Sequence, residues 1–401
     1  MTRYRINIKY LLICFMISIA LAHFIDNVIF NVKVNTNATR CSVLFHYIDW
    51  LILAMTALLY KRIKMKYIFI MFVIVGGDFL SAYNGMKVFN MMPYPRLHVD
   101  LLVSAAIICS LGVDWSSSLN EDDVYSVINV MFLIGITACI YAMIAQNDVL
   151  RQLLRGAYAG WNYISFFGQR NKFAVVCYLA IICGFFLWLK NGRIIYPLGI
   201  ALLFISIVFT DSRNSFFSTI LFFGLYFAFR SRISPAIMII LAVPMLIILV
   251  SVIGVNFNDM SEVFEHKGGR GLEEESRFLM WTLGLLKISE HGAWLQGFGI
   301  HSSTAFLERI ENVGSFHNIY MDQLFNSGMI GLSVHIWAMV LIYKNICKHQ
   351  DLLYKNFMKA AFLSFAFYCM FEAGAMMFST NFFSIFTSTI FAVLPQYKKE
   401  S

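Results

Sequence analysis

Apolar runs of roughly 17 to 25 residues recur along the whole of this 401-residue chain, and no other feature constrains its fold so strongly. Lipid offers no hydrogen-bond partners, so each run must satisfy its own backbone as a helix. With 59% hydrophobic and 13% charged residues, against ~25% charged in soluble chains, there are too few polar side chains to cover a water-facing surface. The expected fold class is an all-α polytopic membrane protein, with one membrane domain in place of several soluble ones.

The runs predict about twelve transmembrane helices, near 10–28, 42–60, 67–83, 98–113, 124–145, 171–190, 194–210, 214–230, 235–255, 318–343, 357–378 and 380–395. Two divisions are marked only by polar residues: Thr210 to Asn214, and Ser379 to Asn381, which reads as a tight turn or a broken helix. Arg3, Arg5 and Lys9 precede the first run as in a signal peptide, but no small-residue cleavage site follows, so this reads as a retained first helix.

Basic residues in short loops set the orientation. With the N-terminus inside, Lys61, Arg62, Lys64, Lys66, Lys190, Arg193, Arg230, Arg232, Lys344, Lys348, Lys355, Lys359, Lys398 and Lys399 are also inside, and twelve spans return the C-terminus there. The expected organisation is 1–255 for nine spans, 256–316 for a large outer loop and 317–401 for three more. A net charge of +8 is spread over these loops, which makes nucleic acid an unsuitable partner. The eight cysteines form no CxxC pair and no Cys/His cluster at zinc spacing, so neither disulfide nor structural metal is expected.

The inside set has 11 Lys and 6 Arg, the outside set 5 Lys and 9 Arg. Arg presents a rigid fork of donors that matches phosphate oxygens in pairs, whereas Lys is a point charge. An Arg-rich outer face therefore suggests an anionic ligand, with chance in small counts as the competing explanation.

Long loops without a role are uncommon, which directs attention to 256–316. It opens with His266-Lys267-Gly268-Gly269-Arg270-Gly271 and passes through Glu273-Glu274-Glu275-Ser276-Arg277 into Trp281, Leu285 and Leu286 at helical spacing. The spacing predicts an amphipathic helix over 273–290 at the membrane surface, with Trp281 at headgroup level, or a helix that only covers the bundle mouth. Gly297-Phe298-Gly299 reads as a flexible turn, and Ser315-Phe316-His317-Asn318 leads into the tenth span. His317 thus falls at the membrane boundary, with Arg277 in the same loop and Arg213 in the outer break between spans seven and eight. Two guanidinium groups suit a phosphate or pyrophosphate leaving group, and an imidazole beside them suits proton removal from an attacking hydroxyl. That combination fits glycosyl transfer from a lipid-linked sugar.

These residues also carry a family resemblance. His317-Asn318, nine residues from Ile319 to Ser327, then Gly328-Met329-Ile330-Gly331 follow a His-[Asn/Ser/Gln]-X9-Gly-X-X-[Gly/Thr/Tyr] pattern. Ser212-Arg213 matches a Ser-Arg at a span end, and Arg277, Trp281, Gly297 and Gly299 match an Arg-X3-Trp element leading to Gly-X-Gly. The chain resembles the bacterial O-antigen ligase family, in the superfamily that includes O-antigen polymerases, chiefly over 160–340.

The resemblance implies transfer of O-antigen polysaccharide from undecaprenyl pyrophosphate to lipid A-core, on the periplasmic face of the bacterial inner membrane. It implies Arg213, Arg277 and His317 as functional positions, inversion at the anomeric carbon, and no metal, nucleotide or other cofactor. Independently, no Asp-X-Asp pair lies on the outer face, and no phosphate-loop, Gly-X-Ser-X-Gly or His-Glu-X-X-His motif is present. Glu121, Asp122 and Asp123 read as a solvated inner turn.

Arg170, Asn318, Trp281 and Tyr320 are candidate substrate-binding residues, and Met321 shares the facing direction of Tyr320 or simply packs. Asp78, Asp322 and Glu372 fall inside apolar runs, where ionisable groups are costly and face a cavity or a partner. Asp322, five residues past His317, is about 140° round the helix and is not expected to orient that ring. Arg96, Arg151 and Arg155 suit a phosphorylated acceptor or lipid headgroups. The rival readings are an O-antigen polymerase, with the same donor and a different acceptor, and a transporter of the lipid-linked glycan. Transporters show paired internal repeats with broken helices, and no pairing of the two halves is evident.

Overall fold

The structure, a computed structural model, describes residues 8–31, 40–60, 63–89, 97–116, 118–155, 162–231, 276–300, 302–310, 315–372 and 384–397. The expected span at 235–255, the loop start at 256–275, Arg96 and the division at Ser379 to Asn381 lie outside them. Among the described residues the regular structure is helical, apart from one bridge between Ile63 and Val113.

In chain order the helices are α1 (Ile8–Phe24, continued by a wider turn over Ile25–Ile29), α2 (Cys41–Tyr60), α3 (Met65–Phe89), α4 (Leu97–Leu111) and α5 (Glu121–Ala145). Then come α6 (Asn147–Leu154), α7 (Arg170–Asn191), α8 (Ile195–Phe209), α9 (Arg213–Ser231), α10 (Ser276–Glu290) and α11 (Ser302–Ile310). The series ends with α12 (Ile319–Cys347), α13 (Leu352–Tyr368) and α14 (Ser384–Ser388), whose path continues helically to Gln396. Among the described residues six stretches are long and apolar enough to cross a membrane: Ile8–Ile29, Cys41–Leu59, Met65–Phe89, Glu121–Ala145, Arg170–Asn191 and Ile319–Cys347. The chain is a multi-pass membrane protein. The expected spans at 98–113, 194–210 and 380–395 contain the shorter apolar helices Leu101–Leu111, Ile195–Phe209 and Ser384–Gln396.

α7 is the hub. Every residue from Phe173 to Leu187 is buried, as expected for a helix apolar on all sides and enclosed by others. Glycines let its neighbours approach: a Cβ on Gly135 of α5 would collide with Ala180, and one on Gly184 would lie 2.6 Å from the Phe132 ring. Removing side chains at the contact is how membrane helices gain dispersion where no hydrophobic drive exists.

The C-terminal end of α7 is clasped by ion pairs. Lys190 Nζ lies 2.9 Å from Glu121 Oε1 and 3.4 Å from Asp351 Oδ2, and Lys9 Nζ lies 3.0 Å from Asp123 Oδ1. The acidic run expected as a solvated turn is instead the capped start of α5: Asn120 Oδ1 accepts from Asp123 N, and Asp123 Oδ2 accepts from Asn120 N. Acids in a first turn complement the helix dipole, and here Glu121 and Asp123 each also meet a lysine from another helix.

His349, in the turn between α12 and α13, belongs to the same end. Its Nε2 donates to the Tyr397 carbonyl at 3.2 Å, its Nδ1 accepts from Asp351 N at 3.2 Å, and its ring packs against both Tyr354 and Tyr397. Burial lowers the imidazole pKa, and protonating Nδ1 forfeits the Asp351 bond. The unfolded ring gains its proton near ~6.5. Stability is therefore full above that pH and falls as pH drops from there toward the folded value. The thermal midpoint in detergent is expected to fall between pH 8 and pH 5.5 by less in His349→Asn than in wild type; equal falls would show that folding does not lower the imidazole pKa.

Candidate active site

At the opposite end of α7, α12 is not one helix. Gly328 takes φ 65°, ψ −170°, a conformation essentially confined to glycine. The break forfeits the bonds that Met329 N and Ile330 N would make to Phe325 O and Asn326 O. Residues 294–299 replace all four partners. Phe298 N donates to Phe325 O at 2.9 Å and Gly299 N to Asn326 O at 2.6 Å; Met329 N donates to Trp294 O at 2.7 Å and Ile330 N to Leu295 O at 3.3 Å. The Gly297-Phe298-Gly299 segment is thus a wedge seated in the broken helix, not the flexible turn its glycines suggest.

The wedge also rests on α3, where Ser81 Oγ donates to Gln296 O at 2.5 Å. Phe298 is fully buried in an aromatic core, with ring centroids 5.1 Å from Phe89 and 4.8 Å from Phe325. Phe316 joins that core, 5.2 Å from Phe325, which places the next residue, His317, at its edge.

His317 has φ 51°. A left-handed backbone at a residue other than glycine costs on the order of 1 to 3 kcal/mol and persists only where its surroundings over-determine it. Here they do. Phe316 N donates to Asp322 Oδ1 at 3.2 Å, and Phe316 O accepts from Trp281 Nε1 at 2.8 Å. His317 N donates to Ser315 Oγ at 3.3 Å, and Ile319 N to Cys369 O at 3.0 Å. Asn318 Oδ1 caps α12 by accepting from Tyr320 N and Met321 N, at 2.9 and 3.1 Å. Asp322 therefore holds the His317 turn through the backbone.

Trp281→Phe keeps the ring and loses the indole N–H. It is expected to weaken this loop by about 1 kcal/mol, read as faster hydrogen–deuterium exchange at residues 315–318. Unchanged exchange would mean that the indole bond does not hold the loop.

Around the imidazole the chain gathers the starts of α7 and α9 and the end of α13. His317 Nδ1 is 3.5 Å from Glu372 Oε1, within ion-pair range but without hydrogen-bond alignment. Glu372 Oε2 accepts from Asn171 Nδ2 at 2.8 Å. Arg170, beside Asn171, pairs with Asp211 at 3.3 Å, and Asp211, itself at φ 50°, leads into Ser212-Arg213-Asn214. Asn214 Nδ2 then donates to Tyr368 O at 2.9 Å, which ties α9 to α13.

His317, Arg170 and the turn bearing Arg213 are thereby linked through a run of contacts at one end of the bundle. Arg277 opens α10 one turn before Trp281, whose indole holds Phe316 O, so Arg277 enters from the same loop. Tyr320 OH donates to Ala366 O at 3.1 Å, fastening α12 to α13. Glu372 is the residue whose place beside His317 the sequence did not reveal. Among the described residues no three His, Cys, Asp or Glu side chains gather so as to hold a metal ion.

The fold and this charged end define a multi-pass helical membrane protein with imidazole, carboxylate and guanidinium groups at the mouth of the bundle. Residues 198–336 match the family model described as O-antigen ligase. This agrees with the family that the motifs resemble: the segment from α8 into α12 is similar to the O-antigen ligase family. It implies membrane glycosyl transfer on lipid-linked polysaccharide. It contains Arg213, Arg277 and His317, and leaves Arg170, Asn171 and Glu372 outside. Comparison with curated proteins gives no match.

Proposed function

We propose that the protein is an O-antigen ligase, moving O-antigen polysaccharide from undecaprenyl pyrophosphate to a hydroxyl of lipid A-core. The end bearing His317 faces the periplasm, and the lysine-rich end with Lys9, Lys190, Lys344 and Lys348 faces the cytoplasm, in keeping with retention of basic residues inside. His317 takes the proton of the acceptor hydroxyl. The hydroxyl oxygen then bonds to the anomeric carbon as the bond from that carbon to the phosphate oxygen breaks. Attack from the face opposite the phosphate inverts the carbon, and Arg213 and Arg277 neutralise the charge gathered on the departing pyrophosphate.

One observation carries this reading: His317 sits in a strained, multiply pinned backbone inside the matched domain, at the end where the Arg213 turn also lies. Strain maintained at such cost accompanies positioning for chemistry. The break in α12 is the feature that would favour transport. Phe325 O, Asn326 O, Met329 N and Ile330 N, four backbone groups at the break, are taken by 294–299, which supports a structural break in an enzyme over an ion site.

A strain lacking the protein is expected to lose all O-antigen from its lipopolysaccharide while polymer accumulates on the lipid carrier. Lipopolysaccharide capped with a single repeat would instead identify a polymerase.

A further inference from the structure

The contact between His317 and Glu372 reaches outside the matched domain, to the segment just past α13, which the family motifs do not include. We propose that Glu372 is a positioning residue for His317, itself held by Asn171, and that the three form an Asn–Glu–His chain running from the hub helix to the reacting hydroxyl. The proposal rests on His317 being the base.

The geometry separates the two ring nitrogens. Nδ1 is buried and has no hydrogen-bond partner among the described residues, and Glu372 Oε1 lies 3.5 Å from it. The His317 side chain is 29% exposed and that of Glu372 13%, so the ring's open edge lies away from Nδ1 and presents Nε2. A carboxylate facing Nδ1 favours the tautomer with its proton there, leaving the Nε2 lone pair to accept. When Nε2 takes the acceptor's proton, the ring becomes imidazolium. Its Nδ1–H then faces a negative charge in partly excluded water, where the attraction exceeds its value in bulk solvent. The 3.5 Å separation leaves room for that bond to shorten as charge develops, because catalytic hydrogen bonds tighten toward the transition state. The proton afterwards passes to water, and no group is oxidised or reduced.

Glu372 is not free to turn away. Its other oxygen accepts from Asn171 Nδ2 at 2.8 Å, and Asn171 lies in the first turn of α7, two residues before the buried stretch that begins at Phe173. Asp322 of α12 is close enough for its charge to be felt by both His317 and Glu372, but its Oδ1 is engaged by Phe316 N. Arg170, adjacent to Asn171, is directed to Asp211.

The test uses the full chain in vesicles with defined lipid-linked donor and lipid A-core acceptor. Glu372→Gln keeps the volume and an oxygen for Asn171, so the fold is retained, and size-exclusion elution verifies it. The expected result is kcat lowered about 10²-fold or more, as when a triad carboxylate becomes an amide, with donor and acceptor KM within about two-fold and partial recovery in Glu372→Asp. Adding Glu372→Gln to His317→Ala is expected to cost nothing further, because residues acting as a unit are not additive. If Glu372→Gln turns over like wild type while His317→Ala does not, the positioning role is overturned and the base survives. If the two losses multiply, Glu372 acts independently and the chain is overturned. Wild-type turnover in both single variants would remove the base itself.

Discussion

Turnover in His317→Ala is expected to fall by about 10² to 10⁴-fold, the contribution typical of a positioned general base. At 1.36 kcal/mol per decade this corresponds to about 3 to 5 kcal/mol of transition-state stabilisation. Donor binding should be retained, because the groups assigned to the pyrophosphate are guanidinium forks and not the ring. The fold should also survive. The bonds that pin residues 315–319 run through Asp322, Trp281, Asn318 and Cys369, and none uses the imidazole. The left-handed φ of 51° is a cost that alanine shares with histidine. Asn accepts that region more readily, so His317→Asn serves as a control with relaxed backbone and no base, and it should be as inactive as alanine. Steady-state transfer measured beside donor binding checks this. Activity near wild type in either variant would contradict it.

Gly328→Ala is expected to destabilise the protein by on the order of 3 kcal/mol, from a backbone angle closed to alanine and from loss of the bonds exchanged at the break. A Cβ there would collide with the Leu295 carbonyl and lie 2.6 Å from Gln296 N. Gly297 is its counterpart, where a Cβ would lie 2.5 Å from Asn326 O and 2.6 Å from Gly328 N. Ten residues past Asn318 at 1.5 Å each, the break is about 15 Å in, roughly half the hydrocarbon thickness. Irregular backbone at that depth survives only when protein satisfies it. A displaced wedge would therefore expose unpaired amides to lipid and loosen Phe298 from the aromatic core that seats Phe316. The thermal midpoint in detergent should drop, and cleavage within 293–300 should quicken. A midpoint and digestion pattern like wild type would show that α12 straightens without penalty.

How much of this was legible depends on the distance over which each feature is determined. α7 was readable as 171–190 and is found at Arg170–Asn191, because an apolar run of that length has one solution in lipid. The amphipathic helix expected over 273–290 is found at Ser276–Glu290, again a local pattern. The break in α12 was not legible as a break. Gly328 looked like part of a motif in a continuous span, and its reason is the wedge about thirty residues earlier, whose own signal, Gly297 and Gly299, read as flexibility.

Glu372 was noticed as a costly charge in an apolar run and not assigned to His317, 55 residues away. The signal was present. The short turn between α12 and α13 folds them back on each other, which returns the end of α13 to the start of α12, and Ile319 N on Cys369 O is that return. The left-handed backbone at His317 had no sequence signal, since it arises from four neighbours on three different elements.

The most direct measurement of the account is a structure of the protein with undecaprenyl pyrophosphate bound. The diphosphate is expected between Arg213 and Arg277, with the Nε2 edge of His317 turned toward the side where an acceptor hydroxyl would stand. A diphosphate seated at the Lys190 end, or one that touches neither arginine, would contradict it.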